Sequence, residues 1–413
     1  MAAAVSARDV DAGAALADRA PEGNAHGAGD AHGAPGAHGA AQITVLDVRI
    51  VSGTGGGPDK TILNSPRHLE HTRYRNLAAY IHAPGDPGFA SLAARAEERR
   101  CPLIAIPDPH PFDVRTLAKL AEICRTLDVR IWHGHDYKSN LFGVLLERLC
   151  NLKLATTVHG WVKHTHKTPL YFAVDRFALR RHHEVIAVSR DLFDASLAAG
   201  VKRERLTLIE NAIDTDEFRR SVPPSESPLR RNAAGRLLVG AVGRLSDEKG
   251  FHVLVEAVER VLDRGVDVEL WIAGEGEEHA RLDAQIRASK HHGRMKLLGF
   301  QRDVRALFEA LDVFALSSLR EGLPNVVLEA MAMEVPVLAT RCGGMEAFAR
   351  DGEDLLLVPA NDAAALAAGL ERLARDADLR RRLARTARAK IEREHGFAQR
   401  MERVRAVYDR LVS

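Results

Sequence analysis

Apolar and polar positions change their rhythm twice along this chain, near residue 43 and again near residue 219. Residues 1–42 are built from Ala, Gly, His and Asp, with too little bulky apolar surface to repay the entropy of ordering, which predicts a disordered tail. From Ile43 onward, short apolar runs alternate with helical patterns. ITVLDVRIV (43–51), LAAYIH (77–82), LIAIP (103–107), VRIWHG (129–134), LATTVHG (154–160), VIAVS (185–189) and LTLIENA (206–212) read as strands. Stretches 114–127, 139–151 and 190–199 read as helices between them. Such alternation predicts a parallel sheet wrapped by helices, with ligands at the carboxyl ends of its strands.

Residues 219–235, RRSVPPSESPLRRNAAG, interrupt the pattern with three prolines, serines and charges, and read as a linker. The alternation then restarts with LLVGAVG (237–243), VELWIAG (268–274), MKLLGF (295–300), VFALSS (313–318), VPVLAT (335–340) and DLLLVP (354–359). Helical stretches at 362–374, 378–393 and 397–412 close the chain. The simplest architecture is α/β: two doubly wound, Rossmann-like domains, 43–218 and 236–396, facing each other across a cleft.

Composition narrows the function. At 413 residues, 46% apolar and 28% charged, the chain is ordinary for a globular protein. A net charge of +2 argues against nucleic acid as a partner. Cys101, Cys124, Cys150 and Cys342 form no C-x-x-C pair, which points to reduced thiols and a cytoplasmic protein. Neither a signal peptide nor a stretch of about 18 apolar residues is expected. His26, His32 and His38, six apart in the tail, are at most weak metal ligands.

The most informative stretch is 317–340, SSLREGLPNVVLEAMAMEVPVLAT. Glu321 and Glu329 stand eight positions apart around a Gly322-Leu323-Pro324-Asn325 turn. Pro324 suits a first helical turn and Asn325 can cap one, and Leu328, Met331 and Ala332 give an apolar helical face. One carboxylate then lies beside free N–H groups and a positive helix end, and the other about two turns into the helix. That suits a ligand both anionic and rich in hydroxyls. Upstream, the strand at 237–243 ends in Gly243-Arg244-Leu245-Ser246-Asp247-Glu248-Lys249-Gly250. Two cations before a helix can stabilise a diphosphate without a metal.

Together these stretches resemble the E-x7-E and V-G-R-L-x-x-x-K-G elements of the retaining, nucleotide-sugar-dependent glycosyltransferases of family 4, which have the GT-B fold. The resemblance runs from about residue 43 to 413. It implies that Arg244 and Lys249 grip the donor diphosphate and that Glu329 accepts from ribose hydroxyls. Glu321 would hold a hydroxyl of the donor sugar, with backbone N–H groups of the Gly322-Leu323-Pro324-Asn325 turn helping to place sugar and phosphate. Phe300 would lie near the nucleobase, of UDP or GDP type. The terminal helix would pack back on the first domain.

In the first domain, the glycines of Ser52-Gly53-Thr54-Gly55-Gly56-Gly57-Pro58-Asp59-Lys60-Thr61 let backbone approach a sugar or phosphate. The P-loop pattern is not satisfied, since Asp59 precedes Lys60. In the family such a loop faces the cleft, and the wording resembles a bacterial subgroup linked to exopolysaccharide assembly. His133 and His135, in W-H-G-H-D, make a pair able to bind metal, but no further ligand cluster is legible beside it. His159, in T-T-V-H-G-W, matches the family position where an imidazole reaches the donor sugar. Residues 163–183 mix cations with Leu170, Tyr171, Phe172, Val174 and Phe177. A helix packing on the sheet is preferred there over one resting on an anionic membrane.

The expectation is a metal-independent, cofactor-free retaining enzyme passing a sugar from a nucleoside diphosphate to a glycan or lipid-linked acceptor. Peripheral contact with the inner membrane stays open. So do another GT-B activity, such as a nucleotide-sugar 2-epimerase or a phosphorylase, and a non-catalytic nucleotide-sugar binder.

Overall fold

A computed structural model describes residues 42–110, 113–160, 168–230, 235–301 and 303–413. The tail, with His26, His32 and His38, lies outside the described residues, as do residues 163–167 of the basic stretch.

The chain divides into two compact units. In the first, seven strands lie in the order β3-β2-β1-β4-β5-β6-β7. They are β1 (Ile43–Val51), β2 (Tyr74–His82), β3 (Leu103–Pro107), β4 (Val129–Gly134), β5 (Lys153–Val158), β6 (Glu184–Ala187) and β7 (Leu206–Leu208). β1 pairs in parallel with β2 and β4, the pattern of a sheet wound outward in two directions from its first strand. Leu46, Val48, Leu77, Ala79, Trp132 and Leu154 fill one face against Leu120, Ile123, Phe142 and Leu146 of neighbouring helices. Val51, Ala78 and Tyr80 pack the other against Ile62, Leu63 and Leu92. Covering both faces is what lets these strands run almost wholly apolar.

The second unit holds β8 (Leu237–Val242), β9 (Val268–Ala273), β10 (Met295–Leu297), β11 (Val313–Leu316), β12 (Val337–Arg341) and β13 (Leu356–Pro359). Their order is β10-β9-β8-β11-β12-β13, with parallel pairings throughout. Every strand read from the apolar runs is present, shifted by a few residues at most. β10 stops at Leu297, so Phe300 falls in the loop beyond it.

The units do not divide where the proline-rich stretch suggests. The first takes residues up to Ile186, Ser196–Thr207 and Arg405–Ser413; the second takes Ala187–Ala195 and Leu208–Val404. Residues 219–230 are tied into the second unit by backbone carbonyls. Arg220 donates to Met333 (2.8 Å), Phe308 (3.2 Å) and Glu309 and Leu311 (both 3.4 Å). From the helix Ala377–Glu394, Arg388 reaches the carbonyls of Phe218 at 2.7 Å and Thr215 at 3.0 Å.

The last helix, Phe397–Val412, belongs to the first unit only in its final turns. There Asp409 accepts from Arg73 and from the Tyr74 hydroxyl, each at 2.6 Å, and Arg410 holds Glu184 with two contacts of 2.8 Å. In the basic stretch, the helix Thr168–Leu179 buries Ala178 and Leu179, whereas Phe177 stays half exposed with the Arg181 guanidinium over its ring.

Candidate functional site

In the second unit β8 lies between β9 and β11, so the connections leaving it go to opposite sides. A parallel sheet opens a crevice at such a switch point, beyond the carboxyl ends of its strands. The loops leaving β8 and β11 are laced together there. Ser317 Oγ donates to the Lys249 carbonyl at 2.9 Å, and Leu319 N to that of Glu248 at 2.8 Å. Gly250, at φ +60°, starts the helix Phe251–Asp263, and a Cβ on it would stand 2.3 Å from the Ser317 carbonyl oxygen. Only glycine lets the two backbones come this close.

This lacing brings Lys249 Nζ into an ion pair with Glu321 Oε1, and Ser318 Oγ donates to the same oxygen at 3.1 Å. The Lys249 side chain is 20% exposed and that of Glu321 15%, so both are shielded yet within reach of a ligand. Arg244, just past the end of β8, holds Glu248 at 2.7 Å and is half exposed. Burial opposes ionisation of Glu248, but a backbone hydrogen bond, Ser246 and Arg244 prevail and hold its carboxyl below the ordinary value. Lys249 ends a short 3-10 turn, Asp247–Lys249, immediately before Gly250.

A third loop, after β12, supports the Glu321 turn from behind. Thr340 Oγ1 donates to the Ser318 carbonyl at 2.6 Å. Gly343, at φ +50°, approaches so closely that a Cβ would overlap the Glu321 carbonyl at 1.6 Å. Between them Cys342 is buried, which pushes its thiol up from the ordinary value.

The helix at this turn runs Asn325–Ala332. Pro324, in extended conformation, occupies the capping position, and no side chain caps the helix. Asn325 is its first residue, one place too late to cap. Glu329 is wholly buried on this helix. Leu323 is buried too, its carbonyl accepting from Asn211 Nδ2 at 2.9 Å, whereas Gly322 is uncrowded. The second unit thus gathers Arg244, Lys249, Glu321, Gly322–Asn325 and Glu329 around one strand switch. Phe300 stands on the loop after β10, 43% exposed.

Gly55, Gly56, Gly57 and His159 belong to the first unit. The helix Gly57–Leu69 opens at the glycine loop, and Asp59 caps it, accepting from Gly56 N at 2.5 Å and pairing with Arg49 at 2.8 Å. Asp86 accepts from Gly53 N at 2.8 Å. The carboxylate that spoils the P-loop pattern is therefore a buried structural cap.

His159 lies just beyond β5, partly exposed. Its Nε2 is 3.1 Å from His135 Nδ1, and His135 Nε2 is 2.8 Å from Asp47 Oδ1. His133 meets the Tyr408 hydroxyl at 2.7 Å and Thr157 Oγ1 at 2.8 Å. Asp47 therefore joins the His-x-His pair, and one ligand atom from each of Asp47, His133 and His135 fits within 4.8 Å. Both ring nitrogens of each of these two histidines already have a partner within the protein. No motif flags Asp47; the signal that could have is a lone carboxylate interrupting the apolar run ITVLDVRIV.

Residues 236–376 match the family described as glycosyl transferases group 1, and residues 55–217 match glycosyltransferase family 4. The chain belongs to these glycosyltransferase families. This glycosyltransferase is 42% identical over 147 residues to the lipopolysaccharide core biosynthesis glycosyltransferase LpsE of Rhizobium meliloti (strain 1021). That match spans 36% of this chain and 42% of LpsE, less than half of either. It is 24% identical over 307 residues to the capsular polysaccharide biosynthesis glycosyltransferase CapM of Staphylococcus aureus, spanning 72% of this chain and 81% of CapM. The crystal structure of Anabaena HepE in complex with UDP and glucose superimposes with a TM-score of 0.78 at 21% identity. It covers 89% of this chain and 100% of HepE, a likeness of fold: GT-B. Among the described residues, no helix is long and apolar enough to cross a membrane.

Proposed function

We propose that this glycosyltransferase moves a sugar from a nucleoside diphosphate to a glycan or lipid-linked acceptor in cell-surface polysaccharide or glycolipid assembly. The observation that carries the proposal is the Lys249–Glu321 pair at the β8/β11 switch, with Glu329 buried on the helix that follows. The names of LpsE and CapM support the biosynthetic setting.

In this reading Arg244 and Lys249 draw the departing diphosphate, supplying without a metal the charge that the transition state needs. Glu329 accepts from the ribose, Glu321 holds a sugar hydroxyl, and His159 orients the sugar. The acceptor attacks from the face the diphosphate leaves, so the anomeric configuration is retained with no enzyme carboxylate as nucleophile. The reaction takes place in the cytoplasm.

The test is a thermal-shift screen with UDP, GDP, ADP and their common sugar conjugates, with EDTA present. One base should raise the melting temperature, by mass action on the folded state, and Arg244→Ala should abolish the rise. No shift with any nucleotide, or sugar transfer from a donor lacking one, would overturn the reading. Product analysis by NMR then decides between retention and inversion.

A further inference from the structure

The helix that carries Glu329, Asn325–Ala332, is held at both ends by residues 211–220, which belong to the same unit. At the front, Asn211 Nδ2 donates at 2.9 Å to the carbonyl of Leu323, two residues before the helix. At the back, Arg220 donates to the Met333 carbonyl at 2.8 Å. Arg388 joins the Ala332 carbonyl, at 2.6 Å, to those of Phe218 and Thr215, at 2.7 and 3.0 Å. Carbonyls at the end of a helix have no donor within it, so the two arginines complete this one. Between the ends, Ile213 and Phe218 share a buried apolar cluster with Leu323, Val327 and Leu328. Residues 211–220 thus splint the helix from the turn that opens it to its last carbonyl.

The splint is itself fixed. Ile213 N donates to the His395 carbonyl and Phe397 N to the Ile213 carbonyl, both at 2.9 Å, a parallel bridge between Ile213 and Gly396. The Asn211 carbonyl can only accept, so His395 donates to it through Nδ1, at 3.2 Å. Asn211 therefore has its backbone in this bridge and its side chain on the turn. We propose that Asn211 is a positioning residue: its amide moors the Gly322–Asn325 turn to the bridge, and the bridge sets where the turn and Glu329 meet the donor nucleotide. This rests on the proposed donor site and names what holds it in place.

The test uses the full chain, with UDP, GDP and ADP as probes in calorimetric titration. Asn211→Ala removes the amide; Asn211→Asp keeps its shape but, ionised, has no hydrogen to give the Leu323 carbonyl. Each should weaken binding of the nucleotide about tenfold or more, the order expected when a carbonyl is left without its donor. The number of binding sites should stay as in the wild type. A merely structural role would do the reverse, leaving fewer competent molecules with an unchanged Kd, and would overturn the proposal. In the wild type, nitrogen-15 correlation spectra should show the Asn211 side-chain amide shielded from exchange with water and shifted when the nucleotide binds. A rapidly exchanging, unmoved amide would overturn the proposal without any variant having to fold. If the wild type binds none of the nucleotides, the reading of the donor site fails and the mooring with it. If the wild type binds one and both variants match its Kd, the mooring alone fails.

Discussion

Gly343→Ala is the sharpest probe of the candidate donor-site geometry. A methyl group at this position would lie 1.6 Å from the Glu321 carbonyl oxygen and 2.8 Å from its carbonyl carbon. Ordinary contact between such atoms needs about 3.5 Å, so one of the two loops must retreat by well over 1 Å. The substitution also places a side chain at φ +50°, a strain of about 1–2 kcal/mol. Gly352→Ala separates the two effects. Gly352 has φ +76° but nothing within 4 Å of where a methyl would stand, so it carries the strain without the push. Gly352→Ala should lose about 1–2 kcal/mol in urea melts, and Gly343→Ala that much plus about 1–3 kcal/mol for the overpacking. Only Gly343→Ala should displace Glu321 and lose about a hundredfold in donor-dependent turnover, the penalty expected when a contacting group moves by about 1 Å. Sugar transfer followed with radiolabelled donor, beside calorimetric titration with the nucleotide, reads both. Equal activity in the two alanine variants would refute the idea that the β12 loop sets the position of Glu321.

Arg244→Ala, Lys249→Ala and Glu329→Ala should each cost about a hundredfold or more in turnover at fixed donor, as loss of transition-state charge stabilisation does; near-normal rates in two of the three would sink the site assignment. His182 is buried, and burial lowers its pKa to about 4 from 6.5. The unfolded chain therefore binds the proton first, and stability is lost as pH falls from about 6.5 toward 4. Between pH 7 and 5 the loss should be about 2 kcal/mol from this residue. His183 and His395, also lowered by burial, add in the same direction. Denaturant melts of His182→Gln should show a shallower acid limb, and an unchanged limb would count against the assignment. Burial pushes the Cys101 and Cys124 thiols up to about 12, so neither should react with iodoacetamide at pH 8 until the chain is unfolded; mass spectrometry of labelled peptides checks this.

What the sequence made legible was local. Among the described residues the thirteen apolar runs became thirteen strands, and inner ones such as VELWIA, buried at every position, have few other ways to bury themselves. The Glu321–Glu329 element was readable because turn, helix and next strand are contiguous. The histidine network was not, because its members sit on separate strands: His133 and Tyr408 meet across 275 positions. Asp59 shows a second limit. Its place before Lys60 marks a departure from the P-loop, but its actual partners, Gly56 N and Arg49, follow only from the folded turn. The proline-rich stretch shows a third. Composition marks 219–235 as a break, yet four carbonyls around Arg220 hold its first residues to the second unit. One arginine in a basic loop gives no hint of that.

The cations of the candidate donor site are already paired, Lys249 with Glu321 and Arg244 with Glu248, and this bears on which ligands the site favours. The half-exposed Arg244–Glu248 pair is worth only about 0–1 kcal/mol, so breaking it is cheap. A diphosphate that takes Lys249, however, leaves Glu321 as a shielded carboxylate to which, among the described residues, the Ser318 hydroxyl donates. A nucleoside diphosphate alone supplies the anion but nothing for Glu321; a sugar nucleotide supplies both the anion and a hydroxyl. The intact donor should therefore bind more tightly than its free nucleotide, by about 1–2 kcal/mol if one hydrogen bond to a charged group makes the difference. Glu321→Gln, which has no charge to leave exposed, should bring the two affinities together. Calorimetry with a non-reactive donor analogue and the matching nucleotide measures this gap, and an equal gap in wild type and Glu321→Gln would show that Glu321 does not read the sugar.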